Sequence, residues 1–158
     1  MSGEGEGART RRAGRPAAQS PERAALLARV RRTRTAAEEQ VAHLLRAAGL
    51  HYRRNVRGLP GSPDFANRTK RWAIFVNGCF WHRHTGCARA TVPKNNRAFW
   101  VEKFAANRRR DAAKIRSLRA LGFHVLVIWE CELDRSADRL ARLARRLSEA
   151  VRPTSIEP

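Results

Sequence analysis

Two apolar runs decide the fold: Trp72-Ala73-Ile74-Phe75-Val76, and Phe123-His124-Val125-Leu126-Val127-Ile128-Trp129. Each has the length of a strand, and an unbroken apolar run is the pattern of a strand buried on both faces. Between them, from about Ala98 to Leu121, helical spacing puts Trp100, Phe104, Asn107, Asp111, Ile115 and Leu118 on one face. Gly122 supplies the stop. A strand, a helix and a second strand in this order demand a right-handed parallel crossover. The fold class is therefore α/β, with a mixed sheet flanked by helices.

Outward from this unit the chain is punctuated clearly. Thr35-Ala36-Ala37-Glu38 has capping-box spacing and opens a helix through Ala48, which Gly49 ends. Leu50–Val56 is polar and ragged, the pattern of an edge strand, and Leu59-Pro60-Gly61-Ser62-Pro63 is turn chemistry. Asp64–Ala66 begins a short strand, which Asn67–Lys70 turns into the first apolar run. Residues 78–97 form a long loop, and Ser136–Val151 is a terminal amphipathic helix. Near the start, Ser20-Pro21-Glu22 reads as an N-cap with Pro at the first helical position, opening a short basic helix with Leu26, Leu27 and Val30. The order is α-α-β-β-β-α-β-α, without internal repeats. Residues 1–19 read as a disordered basic tail, 20–151 as one domain and 152–158 as a flexible C-terminal tail.

The 158 residues are enough for one domain with a proper core. Against 14 Asp+Glu stand 33 Lys+Arg, a net charge of +19, so the simplest partner is a polyanion, with nucleic acid ahead of a membrane. No apolar run reaches the ~18 residues of a membrane span, and no signal-peptide pattern opens the chain. The three Cys are an odd number, which argues against a disulfide framework and for metal ligands or core thiols in a cytoplasmic protein.

Four constellations carry chemistry. Cys79, His84 and Cys87 lie within nine residues, and Cys131 stands downstream at the end of a strand. Such a set makes a closed tetrahedral zinc site, and zinc would fix a loop with little apolar content of its own. His82 is an alternative ligand, since in an extended loop it and His84 point in opposite directions. Asp64 sits at a strand end, where a carboxylate beside a backbone carbonyl of the next strand can cradle Mg²⁺, although Pro-Asp also simply starts strands. Asn107 and Asp111 interrupt an apolar helix stripe, so each needs a partner, either a site or a loop backbone. Glu38 flanks the apolar face of its helix, yet already has the capping-box role. Phe80 and Trp81 are adjacent large rings in a polar loop, candidates for stacking on bases, whereas Trp100 on its apolar helix face reads first as core.

The string Phe75-Val76-Asn77-Gly78-Cys79-Phe80-Trp81-His82-Arg83-His84 closely resembles the signature of very-short-patch repair (Vsr) endonucleases. So do Leu59-Pro60-Gly61-Ser62-Pro63-Asp64-Phe65, the Phe99-Trp100 pair with Lys103, and Val127-Ile128-Trp129-Glu130-Cys131-Glu132. The resemblance runs from about Leu27 to Leu133. It implies a restriction-endonuclease-like core and Mg²⁺-dependent nicking of one strand beside a T:G mismatch left by deaminated 5-methylcytosine. It matches Asp64 to the metal-binding catalytic aspartate, with a carbonyl near Val76 as a further Mg²⁺ ligand. His82 matches the active-site general acid/base, Glu38 and Asp111 the nearby acids, and Cys79, His84, Cys87 and Cys131 the structural zinc ligands. Phe80, Trp81 and Trp100 match rings that intercalate beside the mismatch, and Leu27 a wedge from the other groove. The best-known family members carry His where this chain has Asn77, an amide that can position water or phosphate but not relay a proton. The zinc loop is one residue longer here, through Gly86. The implied partner is double-stranded DNA, met by a monomer on the nucleoid, with a functional link to a cytosine-5 DNA methyltransferase and mismatch repair. The alternatives are a restriction-type nuclease cutting intact duplex, and a zinc-dependent DNA-binding module without catalysis.

Overall fold

The computed structural model describes residues 35–133 and 137–151. The expected tails at 1–19 and 152–158, the helix opening at Ser20 and its Leu27 lie outside the described residues. The elements are α1 (Ala36–Ala47), β1 (Arg53–Arg54), β2 (Phe65–Asn67), β3 (Trp72–Asn77), α2 (Arg97–Ala120), β4 (His124–Trp129), a 3₁₀ turn (Glu130–Leu133) and α3 (Ala137–Val151). Thr35 caps α1 with the full reciprocal capping box to Glu38. Gly49 follows the helix at φ +67°, a backbone region that costs glycine little.

The strands form one mixed sheet in the order β1-β2-β3-β4. β1 and β2, and β2 and β3, are antiparallel, whereas β3 and β4 run parallel with Trp72 opposite His124 and Asn77 opposite Trp129. The parallel pair joined through α2 is the arrangement that the two apolar runs imply. The expected strand at Leu50–Val56 shrinks to Arg53–Arg54. Its neighbour β2 is only three residues long, so little ladder is available to pair with.

Alternation along the strands sorts the core into two faces. Phe65, Trp72, Ile74 and Ile128 pack with Val41, Ala42 and Leu45 of α1, Leu133, and Leu143 and Leu147 of α3. On the other face Ala66, Ala73, Phe75 and Val125 meet Leu59 and Leu118, the latter from α2. The sheet is thus covered by α1 and α3 on one side and by α2 on the other. None of the described helices is long and apolar enough to cross a membrane.

Candidate active site and metal centre

The site gathers around the C-terminal end of β3. Asp64 directly precedes β2, and its Oδ2 accepts a 2.7 Å hydrogen bond from the backbone N–H of Val76. A strand residue points its N–H and C=O toward the same neighbour, so the Val76 carbonyl also lies on the Asp64 side of β3. Burial pushes the Asp64 carboxyl up to about 6, aided by the nearby Glu38 carboxylate and opposed by the Val76 N–H, Lys114 and His82. Glu38 is only 6% exposed and Asn77, the last residue of β3, 5%. The capping box explains the place of Glu38 at the start of α1, while its charge still reaches Asp64.

His82 and Asp111 meet across the loop and α2, with His82 Nδ1 2.6 Å from Asp111 Oδ2. Burial works against ionisation of Asp111, but hydrogen bonds from His82 and Lys114 outweigh it and hold its carboxyl below the usual range. The polar break in the apolar stripe therefore has two separate explanations. Asp111 pairs with His82, whereas Asn107 donates 2.9 Å to the carbonyl of Trp81 and ties the loop to the helix.

Residues 79–83 are coiled into turns and not extended, with His82 N–H donating to the Gly78 carbonyl and His84 N–H to the Cys79 carbonyl. The separation of the two histidines follows from this turn, not from strand-like alternation. His82 reaches Asp111, and His84 Nδ1 lies 3.7 Å from Cys79 Sγ and 3.3 Å from Cys131 Sγ. One ligand atom from each of Cys79, His84, Cys87 and Cys131 falls within 4.8 Å of the others. Three sulfurs and one imidazole gathered this closely are a donor set that could hold a metal ion, and its chemistry suits a tetrahedral zinc. Burial, with the crowding of Cys79 and Cys87, pushes the Cys131 thiol up to about 12. Three sulfurs this close resist sharing negative charge until a cation joins them. Cys131 stands on the 3₁₀ turn just beyond β4, not on the strand itself. The His84 ring stacks on Trp129 at 4.2 Å and 4°.

The rings form one cluster. Phe80 lies 5.0 Å from Trp81, 5.6 Å from Trp100 and 5.3 Å from the buried Phe104, and the Lys103 ammonium is within 5.7 Å of Trp81, Phe99 and Trp100. Phe80, Trp81 and Trp100 each stay partly exposed, so none is consumed by the core. Sequence reasoning passed over Trp129 and Lys114. Nothing in the sequence marks Trp129 as the platform for His84, but Lys114 stands three residues after Asp111, a spacing that signals helix neighbours.

A strongly basic α/β fold that gathers carboxylates, a histidine and an aromatic cluster at one sheet end has the make-up of a nuclease. Comparison with known proteins supplies the particular kind. The family model described as DNA mismatch endonuclease Vsr matches residues 17–89. The chain is 42% identical over 125 residues to the Type II nicking enzyme V.XorIIP of Xanthomonas oryzae pv. oryzae, covering 78% of this chain and 91% of that relative. It is 36% identical over 132 residues to the Type II nicking enzyme V.NmeAIP of Neisseria meningitidis serogroup A, covering 82% and 94%. It is 43% identical over 117 residues to the DNA mismatch endonuclease Vsr of Escherichia coli, covering 73% and 74%. The chain belongs to the Vsr family of DNA mismatch endonucleases.

Proposed function

We propose that this chain nicks duplex DNA by hydrolysing one phosphodiester beside a T:G mismatch, the lesion left by deamination of 5-methylcytosine. The observation that carries this reading is the grouping of Asp64 with the His82–Asp111 pair beside partly exposed Phe80 and Trp81. With His82 Nδ1 engaged by Asp111, the other ring nitrogen, Nε2, is the one free to take a proton from an attacking water. Asp111 fixes the orientation of the ring. Asp64 and the Val76 carbonyl, hard oxygen donors with Glu38 close by, are suited to hold Mg²⁺. When bound, Mg²⁺ supplies Lewis-acid polarisation of the scissile phosphate. Asn77 orients water or phosphate without relaying a proton.

Cys79, His84, Cys87 and Cys131 would hold a zinc ion, which would fix the backbone from which Phe80 and Trp81 project. These rings and Trp100 fill the gap opened beside a mispair, where unstacking costs least, so mismatched DNA is favoured before any base is read. Leu27 wedges from the opposite groove. The core is of the restriction-endonuclease type, residues 20–151 act as one domain, and the enzyme works as a monomer on the cytoplasmic nucleoid. Its substrate arises where a cytosine-5 DNA methyltransferase has acted, and mismatch repair is its functional neighbour.

The test is a nicking assay on paired T:G and C:G duplexes, with and without Mg²⁺, using the parent and Asp64→Ala. Nicking of one strand of the T:G duplex by the parent alone, and only with Mg²⁺, is expected. Equal cutting of both duplexes would instead favour a restriction-type nuclease.

A further inference from the structure

Lys114 is the charged group of this site that the acids and the histidine do not account for. It follows Asp111 by three residues on α2, and its Nζ lies 2.8 Å from Asp111 Oδ1 while His82 engages Oδ2. An i,i+3 ion pair on a helix is ordinarily a solvated surface feature of small effect. Here the lysine and aspartate side chains are only 20% and 16% exposed.

The lysine is also fixed along its length. Its ammonium sits 4.4 Å from the centroid of Phe75, the residue before Val76. Its stem packs on Gly61, at φ +73°, where an added Cβ would come within 2.5–2.9 Å of three stem carbons. Gly61 lies in the turn that leads into Asp64. Lys114 is therefore clamped between the segment that carries Asp64 and the pair His82–Asp111, and its charge favours the ionised form of Asp64. An ammonium has three donors. Asp111 takes one and the Phe75 face engages another, leaving donor capacity for an anion that enters the site.

We infer that Lys114 is a further catalytic residue: a fixed cation that donates to a non-bridging oxygen of the scissile phosphate and offsets the charge gathering there during cleavage. The inference rests on the active site proposed at Asp64, His82 and Asp111. No bond to the lysine forms or breaks, and its ammonium keeps its protons throughout, acting by charge and hydrogen bonding.

The test compares Lys114→Met, which keeps an unbranched apolar stem, with Lys114→Arg, which keeps the charge. The first readout needs no turnover: affinity for a T:G duplex in Mg²⁺-free buffer across a salt series. Loss of one phosphate contact lowers the slope of log K against log salt by about 0.9. Lys114→Met should show that loss and Lys114→Arg should not. A slope unchanged in Lys114→Met means that the lysine only props Asp111, and overturns the inference. The second readout is single-turnover nicking with Mg²⁺, which should fall roughly 10²-fold in Lys114→Met and recover in part in Lys114→Arg. Nicking by Lys114→Met at the parental rate also overturns it. Asp64→Ala runs in parallel: if it nicks normally, the site itself is misplaced and both readings fail. If it is inactive while Lys114→Met keeps rate and slope, the assignment of Lys114 alone fails. Circular dichroism checks folding, and Lys114→Gln serves as the neutral variant should the methionine disturb it.

Discussion

At Asp64, burial and the neighbouring Glu38 favour the neutral acid, and they outweigh the Val76 N–H, Lys114 and His82, leaving the carboxyl at about 6 against an ordinary value of 3.8. The consequence for stability has a definite sign. Between these two values the folded chain binds more protons than the unfolded chain, so stability falls as pH rises through that window, and the full penalty stands above it. Asp64→Asn keeps an acceptor for Val76 but removes the charge. In Mg²⁺-free buffer at pH 7.5 it should be more stable than the parent by on the order of 2–3 kcal/mol, with the gap closing toward pH 4.5. Adding Mg²⁺ should stabilise the parent and leave Asp64→Asn unmoved. Paired thermal melts measure this, and a gap independent of pH would show that ionisation of Asp64 is not its source.

The loop of residues 78–97 joins two sites with different needs, because one turn directs His82 to Asp111 and His84 to the sulfurs. Cys131→Ala should reduce bound zinc from about one per chain to about none and lower the melting temperature, since the remaining ligands cannot close a tetrahedron. Elemental analysis alongside melting checks this. His82→Ala, in contrast, should retain zinc while losing nicking. The aromatic cluster makes a separate prediction. If Trp81 enters the gap beside a mispair, Trp81→Ala should lose about 1–3 kcal/mol of affinity for T:G duplex and far less for matched duplex, where phosphate contacts dominate. Equal losses, accompanied by loosened zinc, would make the Trp81 ring an anchor of the loop, in addition to the Asn107 bond to its backbone carbonyl, which the alanine variant keeps.

Across the whole molecule, one face of the sheet is sealed by two helices distant in sequence, α1 and α3, and Ile128 and Leu147 share that core. Leu147 is fully buried and lies far along the chain from Asp64. Leu147→Ala should cost about 2–5 kcal/mol by leaving a cavity, readable as a shift in the urea midpoint. A shift below about 0.5 kcal/mol would mean that α3 contributes little to the core.

Much of this architecture was legible because it follows from local chemistry. Apolar runs of strand length, helical spacing between Trp100 and Leu118, and a capping box at Thr35 each specify their element through neighbours a few residues away. The grouping of Cys79, His84, Cys87 and Cys131 was legible for a related reason, since cysteine and histidine offer few other uses at such spacing. What the sequence left open depended on contacts across long separations. Helical periodicity could not decide whether Asp111 or Asn107 served the site, because both occupy the same helix face, and only the family resemblance pointed to Asp111. Only the packing of α2 against the loop assigned Asp111 to His82 and Asn107 to the carbonyl of Trp81. Nor could it show that Trp129 stacks on His84, or that Gly61 and Phe75 clamp Lys114. Those partners meet because the sheet pairs β3 with β4 and lays α2 across them, and such register belongs to the folded chain as a whole.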